Sequence, residues 1–460
     1  MNRPLLSIRA ELKETISLAF PIVLSQVGHM FMGIVDTMIA GKISTAVLAG
    51  VGLGATLFWN LAVIFIGVLL AMDTFSSQAV GAKDEKSLAK YFVQALWLAL
   101  VLTVICAVVI LSGQFIYQAV APASETKGVF SVYVLNVIWS LPAIFLFFVL
   151  QRYWQARKVV IPFTLIIILA NVGNLLVALA LGLGWWGFPR LEGQGIALAT
   201  VINRGLMVVV AVGFTVWKLK MRTWHFPRLD WQVQKEFLHL GLPAGGQTAL
   251  EVGVFTIVTF IVGFLGAVPL AAHHVCINVA AFTFMFSLGL SSAAAVRVGT
   301  FVGARELERA KTAGWLCVAL SVFIMGLFAI ACLAFPTTIM GWFSHDPAVI
   351  QLGTKILLIV ALFQIGDGIQ VTATGALRGL GNTRSPMIAN FIGHFPIGLA
   401  VGLFFCYGLN KGVVGLWIGL ATGLVTVAFL VLRAWMREIK SILTIELHAG
   451  ENVIVDKTPL

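Results

Sequence analysis

Apolar residues dominate the chain in long runs. Twelve of them are long enough to cross about 30 Å of hydrocarbon as a helix: 14–40, 48–72, 91–115, 131–150, 162–183, 193–217, 236–265, 271–297, 312–335, 349–375, 386–408 and 413–433. The first run follows the mixed-charge segment "MNRPLLSIRAELKE" and has no small-residue cleavage site after it, so it reads as a retained helix rather than a signal peptide. Polar stretches between the runs are short. The most charged, "WKLKMRTWHFPRLDWQVQKE" at 217–236, falls between the sixth run and the seventh.

The pattern repeats itself at an offset of 222 residues. "AFPIVLSQ" at 19–26 meets "GLPAGGQT" at 241–248, Gly41 meets Gly263, and "VGAKDEKSLAK" at 80–90 meets "VGARELERAKT" at 302–312. "QARKVVIP" ending at Pro162 echoes "LGNTRSP" ending at Pro386 with a two-residue slip. Two six-helix halves are expected, 1–225 and 226–460. An even number of helices in each inserts both halves the same way up, which relates them by a pseudo-twofold axis along the membrane normal around a central cavity. Pro21 and Pro243 occupy equivalent places and predict paired bends in the opening helices. The fold class is therefore all-α integral membrane, twelve transmembrane helices in two lobes.

Composition agrees with this reading. The 460 residues are 60% hydrophobic and 11% charged, against about 25% charged for a soluble domain; the mean hydropathy is +0.99. Of the 30 basic residues, 23 fall on one side of the predicted spans, from Arg3, Arg9 and Lys13 through Lys218, Lys220, Arg222 and Arg228 to Arg437, Lys440 and Lys457. The alternate loops hold only Lys42, Lys127, Arg190, Lys355 and Lys411. This bias predicts a plasma or inner membrane protein with both termini cytoplasmic. The net charge of +11 then follows from topology and suits contact with anionic membrane lipids, not nucleic acid. Cys106, Cys276, Cys317, Cys332 and Cys406 all lie in apolar runs without pair spacing, so they read as packing residues.

Ionisable groups inside the spans are expensive and point to function. Four of the 19 acidic residues are there: Asp36, Asp73, Glu251 and Asp367. Asp73, ten residues before Lys83, reads as a snorkelling or locally hydrated carboxylate. Asp36, Glu251 and Asp367 lie deeper. The offset pairs Asp36 with Val258 and Glu251 with His29, so the two opening helices carry their acids two turns apart. Asn171, Asn174 and Thr200 can complete a hard-cation shell around Asp36, or they hydrogen-bond across packed helices. Gln247 with Glu251 at i, i+4, and Asp367 with Gln370 at i, i+3, share helix faces and predict a polar-lined cavity in the second half. Arg204 is either a counter-ion to a first-half carboxylate or a packing residue of its own lobe. Arg297, eight residues before Arg305, reads as snorkelling to the inner surface. His273, His274 and His394 either titrate or serve interhelical hydrogen bonds.

Four motifs together resemble the multidrug and toxic compound extrusion (MATE) family over about residues 10–437: "P-x-x-x-S-Q" at 21–26 followed by "G-x-V-D-T-x-x-A-G" at 33–41, "R-V-G-x-x-x-G" at 297–303 after Ser292, a glutamate in the seventh run, and "F-Q-x-x-D-x-x-Q-x-x-x-x-G-x-L-R-G" at 363–379. Glu251 and Asp367 make the chain most similar to the bacterial NorM-like branch. The resemblance implies an antiporter, not an enzyme, exporting cationic amphiphilic drugs and dyes as a monomer. It needs no cofactor beyond a coupling ion, Na+ or H+. Asp36, Asn171, Asn174, Thr200, Glu251 and Asp367 would couple the ion, the three acids holding it directly if it is Na+. Gln247, Gln370, Phe363, Asp36 and Glu251 would contact substrate. That branch often has tyrosine where this chain has Phe363, which weakens Na+ ligation in the second half. A lipid-linked oligosaccharide flippase is the alternative of the same superfamily, but it would want a strongly basic cavity and these spans carry acids. No Walker-type glycine loop is present for an ATP-driven pump.

Overall fold

The computed structural model describes residues 8–120, 124–219 and 228–455. Arg3, Lys220, Arg222 and Lys457, counted in the charge bias, lie outside the described residues, as does 220–227 of the connecting loop. Among the described residues every regular element is helical. Twelve helices are long and apolar enough to span a membrane: α1 Arg9–Ile43, α2 Thr45–Gly81, α3 Glu85–Val120, α4 Glu125–Ala156, α5 Ile161–Leu183, α6 Glu192–Leu219, α7 Trp231–Gly263, α8 Ala267–Gly303, α9 Leu307–Ala334, α10 Pro347–Leu380, α11 Arg384–Gly408 and α12 Val413–Thr444. Each contains most of one predicted apolar run. Most extend past it at one or both ends, because hydropathy stops at the first polar residues while the helix continues to its cap.

Local chemistry explains the starts and stops. Ser44 caps α2 by accepting from the Val47 N–H (3.1 Å), Ser124 caps α4 through the Lys127 N–H (3.2 Å), and Asp346 caps α10 through the Ala348 N–H (2.9 Å). Asp230 precedes α7, accepts from the Gln232 and Val233 N–H groups and pairs with Lys90 at 2.8 Å. The hydrogen bond from Lys90, helped by those two backbone donors, holds its carboxyl below the usual range. α1 and α7 run unbroken through Pro21 and Pro243.

The chain forms two compact units. One comprises Leu24–Met72 and Glu85–Gly245; the other comprises Met1–Val23, Asp73–Asp84 and Gly246–Leu460. α1, α2 and α7 therefore each contribute to both, and α2 is interrupted by a turn at Leu70, three residues before the chain changes unit.

In the unit that holds α8–α12, two buried clusters form the core. The first gathers Val254, Val258, Cys276, Ile356, Val360, Phe363 and Trp417; the second gathers Ala294, Val298, Ala313, Ala376, Val431 and Trp435. All five cysteines are buried and unpaired, as packing residues should be. α11 passes through two π-helical stretches, Gly393–Leu399 and Phe404–Gly408, where it lies on α12. Close approach there requires glycine: a Cβ on Gly419 would fall 2.3 Å from Gly402 Cα and 2.4 Å from the Gly398 carbonyl oxygen.

The same unit corrects two expectations. Arg297 does not snorkel. Its side chain is buried and forms ion pairs with Glu11 and, at 3.2 Å, with Glu14, both on α1. Glu11, itself buried, also takes Arg309 (2.9 Å), and the guanidinium of Arg309 stacks over Phe301. Asp73 is likewise neither snorkelling nor hydrated; it is buried and paired with Arg378 at 3.2 Å. Both residues stay inside because α1 and α10 bring an opposite charge to each, a long-range coincidence invisible to local hydropathy.

The glycine contact gives a direct test. Gly419→Val should destabilise the detergent-solubilised protein by about 1–3 kcal/mol through overpacking. Gly326→Ala on α9, where a Cβ meets nothing within 4 Å, should be neutral or gain about 0.5–1 kcal/mol of helix propensity. Thermal unfolding by intrinsic fluorescence reads both.

Candidate functional site

The α1 helix carries Asp36 against α5 and α6 inside a single unit. The carboxylate is 5% exposed. Asn174 donates Nδ2–H to Asp36 Oδ1 at 2.7 Å, and Thr200 donates its hydroxyl to Asp36 Oδ2 at 2.9 Å. Both partners are themselves buried. Asn174 Oδ1 is buried without a hydrogen-bond partner, so an unfilled acceptor sits on the side chain that already holds the carboxylate. The result is an oxygen-rich cluster of two carboxylate oxygens, an amide oxygen and a hydroxyl, a donor set suited to a hard cation.

Asn171 does not join this cluster. It donates to the Gly28 and Ile167 carbonyls, each at 2.9 Å, and thereby ties α5 to α1 about two turns before Asp36. Its spacing of three residues from Asn174 made it look equivalent, but the rotation of α5 points it at backbone instead.

Arg204, one turn beyond Thr200, donates to Ser140 Oγ at 2.7 Å and lies over the rings of Phe58 (5.2 Å) and Trp59 (5.4 Å). It is close enough to Asp36 for electrostatic interaction, as Tyr133 is, but makes no ion pair with it among the described residues. Of its two readings, packing within its own unit is the one the contacts support. Ser140 ends a short 3₁₀ segment, Ile138–Ser140, that interrupts α4.

A second acidic site lies in the other unit. Gln370 donates Nε2–H to Glu251 Oε1 at 3.1 Å, linking α10 to α7. Asp367, buried and one turn before Gln370, lies beside that amide and within electrostatic reach of Glu251. Gln370 Oε1 is buried without a partner. Gln247 is partly exposed one turn before Glu251 and makes no hydrogen bond with it among the described residues. Phe363 is 3% exposed, its ring edge-on to Phe255 and Trp417 with centroids 6.3 and 6.1 Å apart.

Behind Phe363 runs a hydrogen-bond chain that gives His273 the interhelical role expected of it, with partners that the sequence did not identify. Trp417 Nε1–H donates to His273 Nδ1 at 3.1 Å, which leaves Nε2–H to donate to Thr259 Oγ1 at 2.9 Å; Thr259 in turn donates to the Phe255 carbonyl at 2.8 Å. His273 is thus an interhelical strut with a defined tautomer. His274 is exposed beside it. His394 is buried in the first π-helical stretch of α11, and neither ring nitrogen has a hydrogen-bond partner. Only the residue pairs at helical spacing were visible beforehand; Trp417 lies 144 residues from His273, and no local signal joins them.

Comparison with known proteins gives a consistent picture. The MatE family model matches twice, at residues 21–180 and 243–404, and the two matches begin at Pro21 and Pro243. The chain is 33% identical over 455 residues to a probable multidrug resistance protein NorM of Xanthomonas axonopodis pv. citri, covering 95% of this chain and 96% of that protein. A NorM of the same description from Mesorhizobium japonicum is 32% identical over 440 residues, 93% and 94% of the two chains. Among solved structures, a eukaryotic MATE transporter superposes with a TM-score of 0.86 at 17% identity, covering 94% of this chain and 98% of that one. A Vibrio cholerae MATE transporter superposes with a TM-score of 0.83 at 18% identity, covering 95% and 98%.

The contacts at Asp36 make one expectation specific. Thr200→Val removes a donor to a buried charge at constant volume and should destabilise the protein by about 1.5–3 kcal/mol, whereas Thr200→Ser should lose less than half of that. Thermal shift of the purified variants distinguishes them.

Proposed function

Because the chain belongs to the MatE family, we propose that it is a multidrug efflux antiporter of the cell inner membrane, exporting cationic amphiphilic drugs and dyes in exchange for Na+ or H+. The observation that carries this reading is Asp36: a buried carboxylate held by two neutral donors, with no ion pair among the described residues to cancel its charge. In hydrocarbon such a group stays ionised only while a cation or a substrate's positive charge compensates it, and otherwise takes up a proton. Its occupancy is therefore sensitive to every cation that reaches the cavity.

Asp36, Asn174 and Thr200 hold the coupling ion in this scheme. With an ion bound, rotating the Asn174 amide would present Oδ1 to it in place of the N–H now spent on the carboxylate. Asn171 acts at one remove, by fixing α5 on α1. Glu251 and Asp367 form a second ion-sensitive site, where the phenyl ring of Phe363 offers no oxygen and a proton is the better-suited ion. Gln247 is placed to meet substrate beside Glu251; the buried Gln370 and Phe363 shape that wall from behind.

The cycle alternates access between the lobes 1–225 and 226–460. Ion binding from outside cancels the negative charge that attracts a cationic drug, and the drug leaves. After reorientation the ion leaves inside and drug binds. Linkage requires each ligand to weaken the other by the same factor. A monomer with both termini cytoplasmic is sufficient for this scheme. A flippase for a pyrophosphate-linked lipid is not favoured, because the relatives matched along almost the whole chain are multidrug resistance proteins and the spans carry the acids Asp36, Glu251 and Asp367.

Two measurements test it. In cells, Asp36→Asn should lower ethidium extrusion by at least roughly tenfold, inside the 5–150-fold range of ordinary coupling free energies; extrusion at the parent rate would remove Asp36 from its central role. In proteoliposomes, an imposed Na+ gradient and an imposed pH gradient are applied separately. Na+ coupling through Asp36 predicts dye movement under the Na+ gradient alone, lost in Asp36→Asn; movement only under the pH gradient would identify H+.

A further inference from the structure

The guanidinium of Arg204 rests on a seat built for a cation, made by residues of one unit. On α4 the Leu141 N–H goes to the Ile138 carbonyl, and the Ser140 hydroxyl donates to the Val137 carbonyl at 2.6 Å. With its proton committed there, Ser140 Oγ can only accept, and it accepts from Arg204 at 2.7 Å. On α2 the rings of Phe58 and Trp59 lie 6.4 Å apart with 24° between their planes, and the guanidinium lies over both, at 5.2 and 5.4 Å. An acceptor-only oxygen and two ring faces attract positive charge and offer a neutral ligand little. Ser140 is 1% exposed and Phe58 2%, but Trp59 is 39% exposed, so one wall of the seat is accessible.

Asp36 is the other place for this guanidinium. Thr200, four residues before Arg204 on α6, donates to Asp36 Oδ2 at 2.9 Å. Residues four apart share a helix face, and helix side chains lean toward the turn that precedes them. Arg204 therefore stands on the row that reaches Asp36, within electrostatic reach of it and of Tyr133, yet spends its hydrogen bond on a neutral hydroxyl. Two resting places surround one tethered cation: a seat with no formal charge, and a carboxylate with no ion pair among the described residues.

We propose that Arg204 alternates between this seat and Asp36, and that an aromatic organic cation entering the seat sends it to Asp36, where it displaces the coupling ion; the proposal rests on the antiporter reading above. Each position then holds one positive charge at a time. With the ion on Asp36, a second cation there is repelled, and the guanidinium withdraws to Ser140 and the two rings. With a flat cation on Phe58 and Trp59 the seat is taken, and the strongest partner left to the guanidinium is the carboxylate. Drug and ion exclude each other in this way without sharing a single contact atom. Arginine suits both positions, because its planar fork stacks on rings, pairs with carboxylate and keeps its charge in between.

The test measures ethidium binding to the purified protein by fluorescence polarisation, at low and high Na+ and at acid and neutral pH. Arg204→Met vacates the seat, so ethidium should bind at least roughly fivefold tighter, and adding Trp59→Leu should abolish the gain. In Arg204→Met the factor by which the coupling ion weakens ethidium binding should also fall below about twofold. Arg204→Lys keeps the charge without the planar fork and should retain the ion dependence. A gain that survives Trp59→Leu reflects only the loss of a repelling charge and overturns the seat. An unchanged ion dependence in Arg204→Met overturns the exchange and leaves the antiporter reading intact. A second measurement keeps Arg204 in place: Ser140→Ala removes the acceptor, biases the guanidinium toward Asp36, and should raise the ion concentration that half-maximally weakens ethidium binding at least roughly fivefold; an unchanged concentration also overturns the exchange. If neither ion weakens ethidium binding to the parent and neither gradient moves dye, the antiporter reading fails and the exchange with it, whereas a gain dependent on Trp59 still identifies Arg204 as the occupant of the seat.

Discussion

A carboxylate buried between helices must be compensated, and Asp36 is held by two neutral hydrogen-bond donors with no ion pair among the described residues. Asn174 and Thr200 each give one hydrogen bond, the nearby guanidinium of Arg204 is engaged by Ser140 and two aromatic rings, and Asp36 forms no ion pair among the described residues. A structural ion pair would have been simpler, and elsewhere the chain uses several. In the proposed function, the absence of an ion pair at Asp36 among the described residues is what leaves it responsive to ions and substrates.

The contrast with Asp73 and Glu11 makes the point by comparison. Those acids are equally buried, but each has an arginine. Their charges are settled within the protein, so they serve architecture. Glu251 and Asp367 belong with Asp36. They share the Gln370 amide and each other's field without a basic partner among the described residues. Pairing with arginine thus separates Glu11 and Asp73 from Asp36, Glu251 and Asp367, the acids to which the proposed function assigns the coupling ion.

The second site also shows how much supporting structure lies behind a few named residues. Phe363 stands against Trp417 and Phe255; Trp417 orients His273, and His273 anchors Thr259 on α7, the helix that carries Glu251. The site's walls are therefore set by α7, α8, α10 and α12 together, although its acids come from only two of them.

Twelve helices, their approximate limits and the 222-residue repeat could be read from the chain because membrane spanning and helix periodicity are local properties, expressed over runs of about 20 residues. The acids Asp36, Glu251 and Asp367 stood out for the same reason: each violates its own surroundings. Asn174 and Thr200 were correctly placed near Asp36, but Asn171, three residues from Asn174, was indistinguishable until the rotation of α5 was known. Arg297 and Asp73 looked like snorkelling residues because hydropathy sees the nearest helix end and not a partner 283 to 305 positions away. Which charges are neutralised, and by whom, is a property of helices packed side by side. Only the tertiary structure decided it, because burial makes a charge depend on neighbours in space, whatever their distance along the chain.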